Sequence, residues 1–168
     1  MLKIISGAQT GVDRAALDIA LKHGLACGGW CPEGRQAEDG RIAECYPVVE
    51  LPGGGYPQRT RQNVLDSDGT VIIFFGKPGG GTKKTYQHCV QENKPCLLLD
   101  ACQIDSSRAA ERILVFYREL PGHRLNFGGP RASGEPRAYA YTREAVDKFL
   151  QLYAKRDGQF CNAAKEGK

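Results

Sequence analysis

The segment that decides the fold is Val71-Ile-Ile-Phe-Phe-Gly-Lys-Pro-Gly-Gly-Gly-Thr82. An apolar run is followed by a glycine-rich turn and a polar stretch, which predicts a buried strand leading into a helix. Consecutive glycines let backbone N–H groups gather at the start of that helix, where they can bind an anion. We expect Thr82 to cap the helix. The segment therefore predicts an anion site at a strand–helix junction.

A second turn of similar composition opens the chain, in Ile5-Ser-Gly-Ala-Gln-Thr-Gly11. Either Thr10 or the glycine turn is expected to cap the helix that follows. Asp13 has two interpretations, because it could form a capping box with Thr10 or face a ligand hydroxyl. Gln9 and Thr10, at the tip of the turn, are the better candidates for ligand contact. Two such turns indicate a protein that holds a phosphorylated ligand.

Short apolar strands alternate with amphipathic helices along the rest of the chain. Strands are predicted at 2–6, 25–30, 70–75, 96–99 and 124–127. Helices are predicted at about 12–23, 60–66, 82–93, 106–120 and from about 142, with Ser106 or Ser107 capping the fourth. Residues 31–57 are expected to be mostly loop. Apolar strands between helices indicate an α/β fold, a Rossmann-like three-layer sandwich whose mostly parallel sheet is covered by helices on both faces.

Composition limits the classes of function. We expect residues 1–156 to form a single ligand-binding domain and residues 157–168 to form a disordered tail. The net charge of +4 comes without a basic run, which does not favour a nucleic-acid partner. No apolar run is long enough to cross a membrane, and no signal peptide is recognisable. Seven cysteines, an odd number, indicate a reduced cytoplasmic protein, and the single close pair, Cys27 and Cys31, does not complete a zinc site.

Three loops leave the predicted carboxyl ends of strands, at 6–13, 76–85 and 128–133, where open parallel sheets bind ligands. The residues predicted to bind are Gly7, Gln9, Thr10, Gly11, Gly79, Gly80, Gly81, Thr82 and Arg131. Arg131 suits bidentate capture of a phosphate, although a solvated surface arginine is an equal alternative. Arg59 and Arg61 could likewise either capture an anion or be solvated surface arginines. Trp30 could either stack on a flat ring or pack in the core.

The glycine-rich loop does not match the common nucleotide-binding motifs. Thr82-Lys83 stands where a Walker A loop requires Lys-Ser/Thr, and the chain contains no GxGxxG.

Four blocks together resemble the putative molybdenum carrier family, a branch of the Rossmann-like group that contains the YpsA-like and lysine-decarboxylase-like (LOG) proteins. These blocks are Ser6-Gly-Ala-Gln-Thr-Gly-Val-Asp-Arg-Ala-Ala16, Arg59-Thr-Arg-Gln-Asn-Val-Leu-Asp-Ser-Asp-Gly-Thr70, Gly79-Gly-Gly-Thr82 and Gly128-Gly-Pro-Arg-Ala-Ser133. The resemblance implies storage or transfer of molybdenum cofactor (molybdopterin), an anionic phosphorylated pterin, with a nucleotide as the other possible ligand. It also suggests a homo-oligomer.

The same resemblance leaves an enzymatic alternative open. LOG-type phosphoribohydrolases carry a glutamate three residues after the loop threonine, and Thr85 occupies that place here. The substitution argues against N-glycosidic hydrolysis, so no catalytic residue is predicted. Asp13, Asp66 or Asp68 could supply an acid from another direction, which keeps a nucleotide-processing hydrolase or transferase as the second hypothesis.

Overall fold

The computed structural model describes residues 1–157 and is built around a six-stranded sheet in which every pairing is parallel. Its strands are β1 (Lys3–Ile5), β2 (Ala26–Pro32), β5 (Val48–Leu51), β6 (Gly69–Phe74), β7 (Cys96–Asp100) and β8 (Arg124–Gly128). The spatial order is β5-β2-β1-β8-β6-β7. A separate antiparallel pair, β3 (Gln36–Ala37) and β4 (Gly40–Arg41), forms a small hairpin between β2 and β5. The predicted parallel α/β architecture is confirmed.

In the part of the chain that the structure describes, five helices cover both faces of the sheet. They are α1 (Val12–Lys22), α2 (Tyr56–Leu65), α3 (Gly80–Gln91), α4 (Ser106–Glu119) and α5 (Ala138–Asp157). Val71 and Ile73 of β6 are buried in the core shared with α1, α4 and α5. Ile72, between them, packs instead with Val64 of α2 and Cys89 of α3. Successive side chains of a strand point to opposite faces, so the apolar run in β6 is explained by burial on both sides.

Residues 31–57 are more ordered than the sequence predicts. They contain the end of β2, a 3-10 turn at Glu33–Arg35, the β3–β4 hairpin and the edge strand β5. Buried Arg35 organises this segment, because its guanidinium donates to four backbone oxygens, those of Ile42, Ala43, Tyr46 and Val48. The glycines, prolines and charged residues of this segment hide the strand pattern of β5 in the sequence. The order of the segment comes instead from tertiary hydrogen bonds.

Helix boundaries differ from prediction where another residue caps the helix. The α3 helix is capped by Gly79, so the prediction that Thr82 caps it is wrong. Asp105 caps α4 through a hydrogen bond from the backbone N–H of Arg108 (2.9 Å), in place of Ser106 or Ser107. The last helix begins at Ala138, four residues before the predicted start near Thr142.

The chain path creates a crevice at β8. The connection after β1 leads to α1 and β2 on one side, whereas the connection after β6 leads to α3 and β7 on the other. Because β8 lies between β1 and β6, the loops at their carboxyl ends diverge around it, which is where open α/β sheets bind ligands.

The sequence also makes predictions about the end of the chain and about membrane-spanning helices. Of the predicted tail at 157–168, only Asp157 is described, as the last residue of α5, and the rest lies outside the described residues. Within residues 1–157, no helix has the length and apolar character needed to cross a bilayer.

The core predicts a large stability difference between buried and exposed positions of similar apolar character. Phe149 of α5 is fully buried and contacts Tyr117 at a ring-centroid distance of 6.2 Å. Phe149→Ala should lower the free energy of unfolding by about 3–5 kcal/mol because it leaves a cavity. Val115 of α4 is 58% exposed, and Val115→Ala should change it by less than about 0.5 kcal/mol. Urea denaturation measures both, and equal losses would contradict this packing.

Candidate functional site

A cavity of about 610 Å³ opens at the carboxyl ends of β1, β6 and β8, a size typical of small-molecule sites. The predicted binding residues that line it are Gln9, Gly79, Gly80, Gly81, Thr82 and Arg131. Residues from three sequence-distant loops therefore meet at one site, as the topology predicts. Gly7, Thr10 and Gly11 are not among the lining residues, although they belong to the same edge of the sheet.

The first turn of α3 offers unpaired backbone N–H groups to this cavity. The first backbone hydrogen bond of the helix runs from Lys83 N–H to the Gly79 carbonyl (3.2 Å). Among the described residues, no acceptor is bonded to the N–H groups from Gly80 to Thr82. Space around the glycines is open, because a Cβ built at Gly79, Gly80 or Gly81 meets no atom within 4 Å. Orphan amides and the positive end of a helix dipole together favour a bound anion.

Two lysines add positive charge to the cavity wall. Lys77 and Lys84 both line the cavity, and within residues 1–157 neither has an ion-pair partner. Thr85, which also lines it, donates its hydroxyl to the Gly81 carbonyl (3.0 Å). The place of the LOG-type glutamate is thus taken by a side chain that is bonded back to its own helix.

The first loop is organised around a buried ion pair. Arg59 Nη1 of α2 donates to Asp13 Oδ2 at 2.9 Å, with side-chain exposures of only 10% and 7%. Burial raises the pKa of Asp13, while Arg59 and the backbone N–H groups of Gln9 and Gly7 oppose that rise by stabilising the charged carboxylate. The capping-box interpretation of Asp13 is wrong, because its carboxylate serves this pair.

Internal contacts also occupy the other groups of the first loop. Thr10 N–H donates to the Gln9 side-chain oxygen (2.9 Å), and Val12 N–H donates to the Pro130 carbonyl (3.3 Å). Gly7 lies under Arg59, whose Nη1 would be 1.5 Å from an added Cβ. Gly11 has a φ of 78° and lies against the Pro130 carbonyl. These glycines have packing reasons of their own, so a binding role for Gly7, Thr10 and Gly11 stays a prediction.

Glu38, in the turn between β3 and β4, joins the first and third loops. Its carboxylate accepts hydrogen bonds from the Thr10 hydroxyl and from the Ser133 hydroxyl and backbone N–H. Arg131 Nε lies 3.4 Å from Glu38 Oε2, and the Arg131 side chain is 58% exposed. Partial burial acts to raise the pKa of Glu38, but the hydrogen bonds from Ser133 and Thr10 and the charge of Arg131 outweigh it and lower that pKa.

Sequence reasoning missed several lining residues. Asn126, a buried polar residue inside the apolar strand β8, donates to Thr70 Oγ1 (3.2 Å) and lines the cavity. Its polarity within a buried run was a usable signal. The sequence raises Arg59 as a candidate for anion capture without including it among the predicted binding residues, and its buried Nε has no partner among the described residues. Glu38 does not line the cavity but holds two of the loops that surround it, and the sequence carries no signal for it because it stands in a segment that is predicted to be loop.

Two other candidates from the sequence have structural roles. Trp30 is half-buried, donates its Nε1–H to Asp66 Oδ2 (2.6 Å) and does not line the cavity. Cys27 and Cys31 are half-buried and buried residues of β2, and burial raises the pKa of both thiols. Within residues 1–157, no cluster of three or more His, Cys, Asp or Glu side chains could hold a metal ion.

Comparison with known proteins shows which family this chain belongs to. A family profile described as circularly permutated YpsA SLOG matches residues 4–150. The chain belongs to the circularly permutated YpsA SLOG family. A solved structure of a similar protein is described as "Putative molybdenum carrier protein" from Syntrophus aciditrophicus SB. It is 46% identical to this SLOG chain, covers 89% of it and 95% of its own length, and superposes with a TM-score of 0.86.

These comparisons confirm the family resemblance and the Rossmann-like fold of this SLOG chain. A search of curated proteins gives no match.

The Asp13–Arg59 pair predicts an asymmetric effect of mutation. Asp13→Ala should lower the free energy of unfolding by about 3–5 kcal/mol, because it leaves the Arg59 charge buried and unpaired. Adding Arg59→Leu should recover most of that loss. Asp39→Ala, which breaks the half-exposed pair with Arg14, should cost less than about 1 kcal/mol. Chemical denaturation tests all three, and a double variant no more stable than Asp13→Ala would contradict the argument.

The lowered pKa of Glu38 predicts a pH-dependent contribution to stability. A carboxyl group whose pKa is lowered by folding stabilises the folded state above its ordinary pKa, and that contribution disappears as the pH falls through the lowered pKa. Glu38→Gln should therefore be less stable than the parent at about pH 7 and approach it towards about pH 3. Glu44→Gln, at a position whose side chain is 75% exposed, is the control. A stability difference that is constant over this range would refute the expectation.

Proposed function

We propose that this SLOG protein binds and carries an anionic phosphorylated heterocycle, with molybdenum cofactor as the first candidate and a nucleotide as the second. The observation that carries the proposal is the first turn of α3, where the N–H groups from Gly80 to Thr82 have no acceptor among the described residues and face a cavity. Lys77 and Lys84 supply the counter-charge for a phosphate. Gln9 and Arg131, from the other two loops, would contact the same ligand.

The name of the similar Syntrophus protein supports a molybdenum-related cargo. In this proposal the protein holds the phosphorylated end of that cargo, because the residues at the cavity are suited to an oxyanion and include no cluster that could ligate a metal within residues 1–157. A cytoplasmic location and a homo-oligomeric state remain predictions from the cysteine content and the family resemblance.

The enzymatic alternative needs a carboxylate that is available to the cavity. Asp66 and Asp68 do not line it. Asp13 and Glu135 do, but each is paired with an arginine, Arg59 and Arg137 respectively. No observed group therefore favours hydrolysis over binding, and release of free base from AMP by the purified protein is the result that would reverse this preference.

Substitution at Gly81 tests the proposed phosphate cradle, which is the first turn of α3 with its cap, from Gly79 to Thr82. Gly80 is a poor test position because its φ of 48° would strain any side chain, whereas Gly81 has ordinary φ and open space around it. Gly81→Val should weaken AMP binding by about tenfold, since it obstructs charge-assisted hydrogen bonds to the phosphate. Stability should not fall, because valine has a higher helix propensity than glycine. Isothermal titration and urea denaturation measure the two effects.

Two adjacent lysines provide a matched control for charge. Lys84 lines the cavity and Lys83 does not, although both are exposed residues of α3. Lys84→Gln should weaken binding more than Lys83→Gln. Unchanged AMP affinity in Gly81→Val would contradict the proposed cradle. An equal loss of affinity in Lys83→Gln and Lys84→Gln would contradict it as well. Mass spectrometry of small molecules that copurify with the parent protein then distinguishes a pterin from a nucleotide.

A further inference from the structure

Phe75 is an aromatic side chain held in place at the edge of the cavity. It directly follows β6 and lies five residues before Gly80, the first residue of α3. Its ring is half-buried and lines the cavity. The Cα atoms of Phe75 and Gly80 are at most about 18 Å apart. Because Phe75 and the residues of the first α3 turn line the same cavity, we expect one ligand to contact both.

Two side chains of α5 and its entry loop fix the Phe75 ring. The Arg137 guanidinium lies over the ring, with Cζ 4.8 Å from its centroid, and Arg137 is not among the lining residues. The Tyr141 ring meets Phe75 edge-on at 5.8 Å and 72°. Tyr141 is itself held by a hydrogen bond from its hydroxyl to the Ile104 carbonyl (2.9 Å). The ring is thus ordered before any ligand arrives.

Hydrogen bonds also hold the backbone on either side of Phe75. Gly76 N–H donates to Asp100 Oδ1 (2.9 Å), and Ala101 N–H donates to the Phe74 carbonyl (2.8 Å). Both bonds tie the end of β6 to the end of β7. A ligand that packs on a ring held this way loses little affinity to side-chain ordering.

Arg137, which lies over the ring, forms an ion pair with Glu135. Arg137 donates two hydrogen bonds of 2.8 Å to the Glu135 carboxylate, through Nε to Oε1 and through Nη2 to Oε2. Glu135 lines the cavity, yet its charge is matched by Arg137, which holds the pKa of that carboxyl at about 2. The Glu135–Arg137 pair therefore adds no net charge beside an uncharged flat ring at Phe75, whereas Lys77, two residues after Phe75, and Lys84 are unpaired within residues 1–157 and remain available for the phosphate.

We infer that Phe75 is the contact surface for the planar ring of the ligand, so that the cavity selects an aromatic heterocycle joined to a phosphate over a bare phosphate or a sugar phosphate. This inference rests on the proposed function and assigns to Phe75 the part of the ligand that the glycine-rich cradle does not recognise. The gain from an aromatic contact is about two- to tenfold in affinity.

The experiment compares ring-bearing and ringless probes by isothermal titration. AMP and a pterin phosphomonoester carry a ring, and ribose 5-phosphate does not. The variants are Phe75→Leu and, as a control, Phe116→Leu, which changes a partly buried phenylalanine of α4 outside the cavity lining. Phe75→Leu should weaken binding of the tighter ring-bearing probe about three- to tenfold and leave ribose 5-phosphate within about twofold of the parent. Phe116→Leu should change neither.

Each other outcome has a defined meaning. Equal affinity of the parent for all three probes, or an equal loss for ringed and ringless probes in Phe75→Leu, overturns the inference and leaves the proposed phosphate cradle intact. Unchanged binding of the ring-bearing probes by Phe75→Leu also overturns it. Failure of the parent to bind any of the three probes overturns the proposed function together with this inference.

Discussion

The ion pair between Asp13 and Arg59 is the interaction on which the candidate site depends. It joins the start of α1 to α2, two segments that are far apart in the sequence and that both contribute to the cavity lining. Few buried ion pairs repay the cost of removing both charges from water unless further hydrogen bonds support them. Here the amides of Gln9 and Gly7 face the same carboxylate, and the absence of a side chain at Gly7 makes room for the guanidinium.

The Asp13–Arg59 pair distinguishes the two glycine-rich turns, which are the first loop and the first turn of α3. The backbone N–H groups of the first loop are directed to Asp13 and to neighbouring loop oxygens, which hold that loop in place. The first turn of α3 has no comparable internal acceptor among the described residues, and its N–H groups face the cavity. Within the described residues, the two turns of similar composition therefore differ in whether their N–H groups already have acceptors.

The third loop depends on a second carboxylate, that of Glu38. Through Thr10 and Ser133 it connects the β3–β4 turn with the loops after β1 and β8, and it places the exposed Arg131 at the edge of the cavity. The hairpin that carries Glu38 has little regular structure of its own. Its position follows from the buried Arg35, which binds four backbone oxygens around it. The β3–β4 hairpin is therefore held in place by tertiary contacts.

The amino-acid sequence by itself determined the parallel sheet, the two helical layers and the edge at which the loops meet. Those features follow from apolar periodicity and from the glycines after β6, which are local properties of the chain. Only the tertiary structure decided which turn keeps its amides available, that β5 joins the sheet beside β2, and that Asn126 and Arg59 line the cavity. The physical reason is that these outcomes depend on partners distant in sequence, such as Asp13 with Arg59, whose pairing no local pattern records.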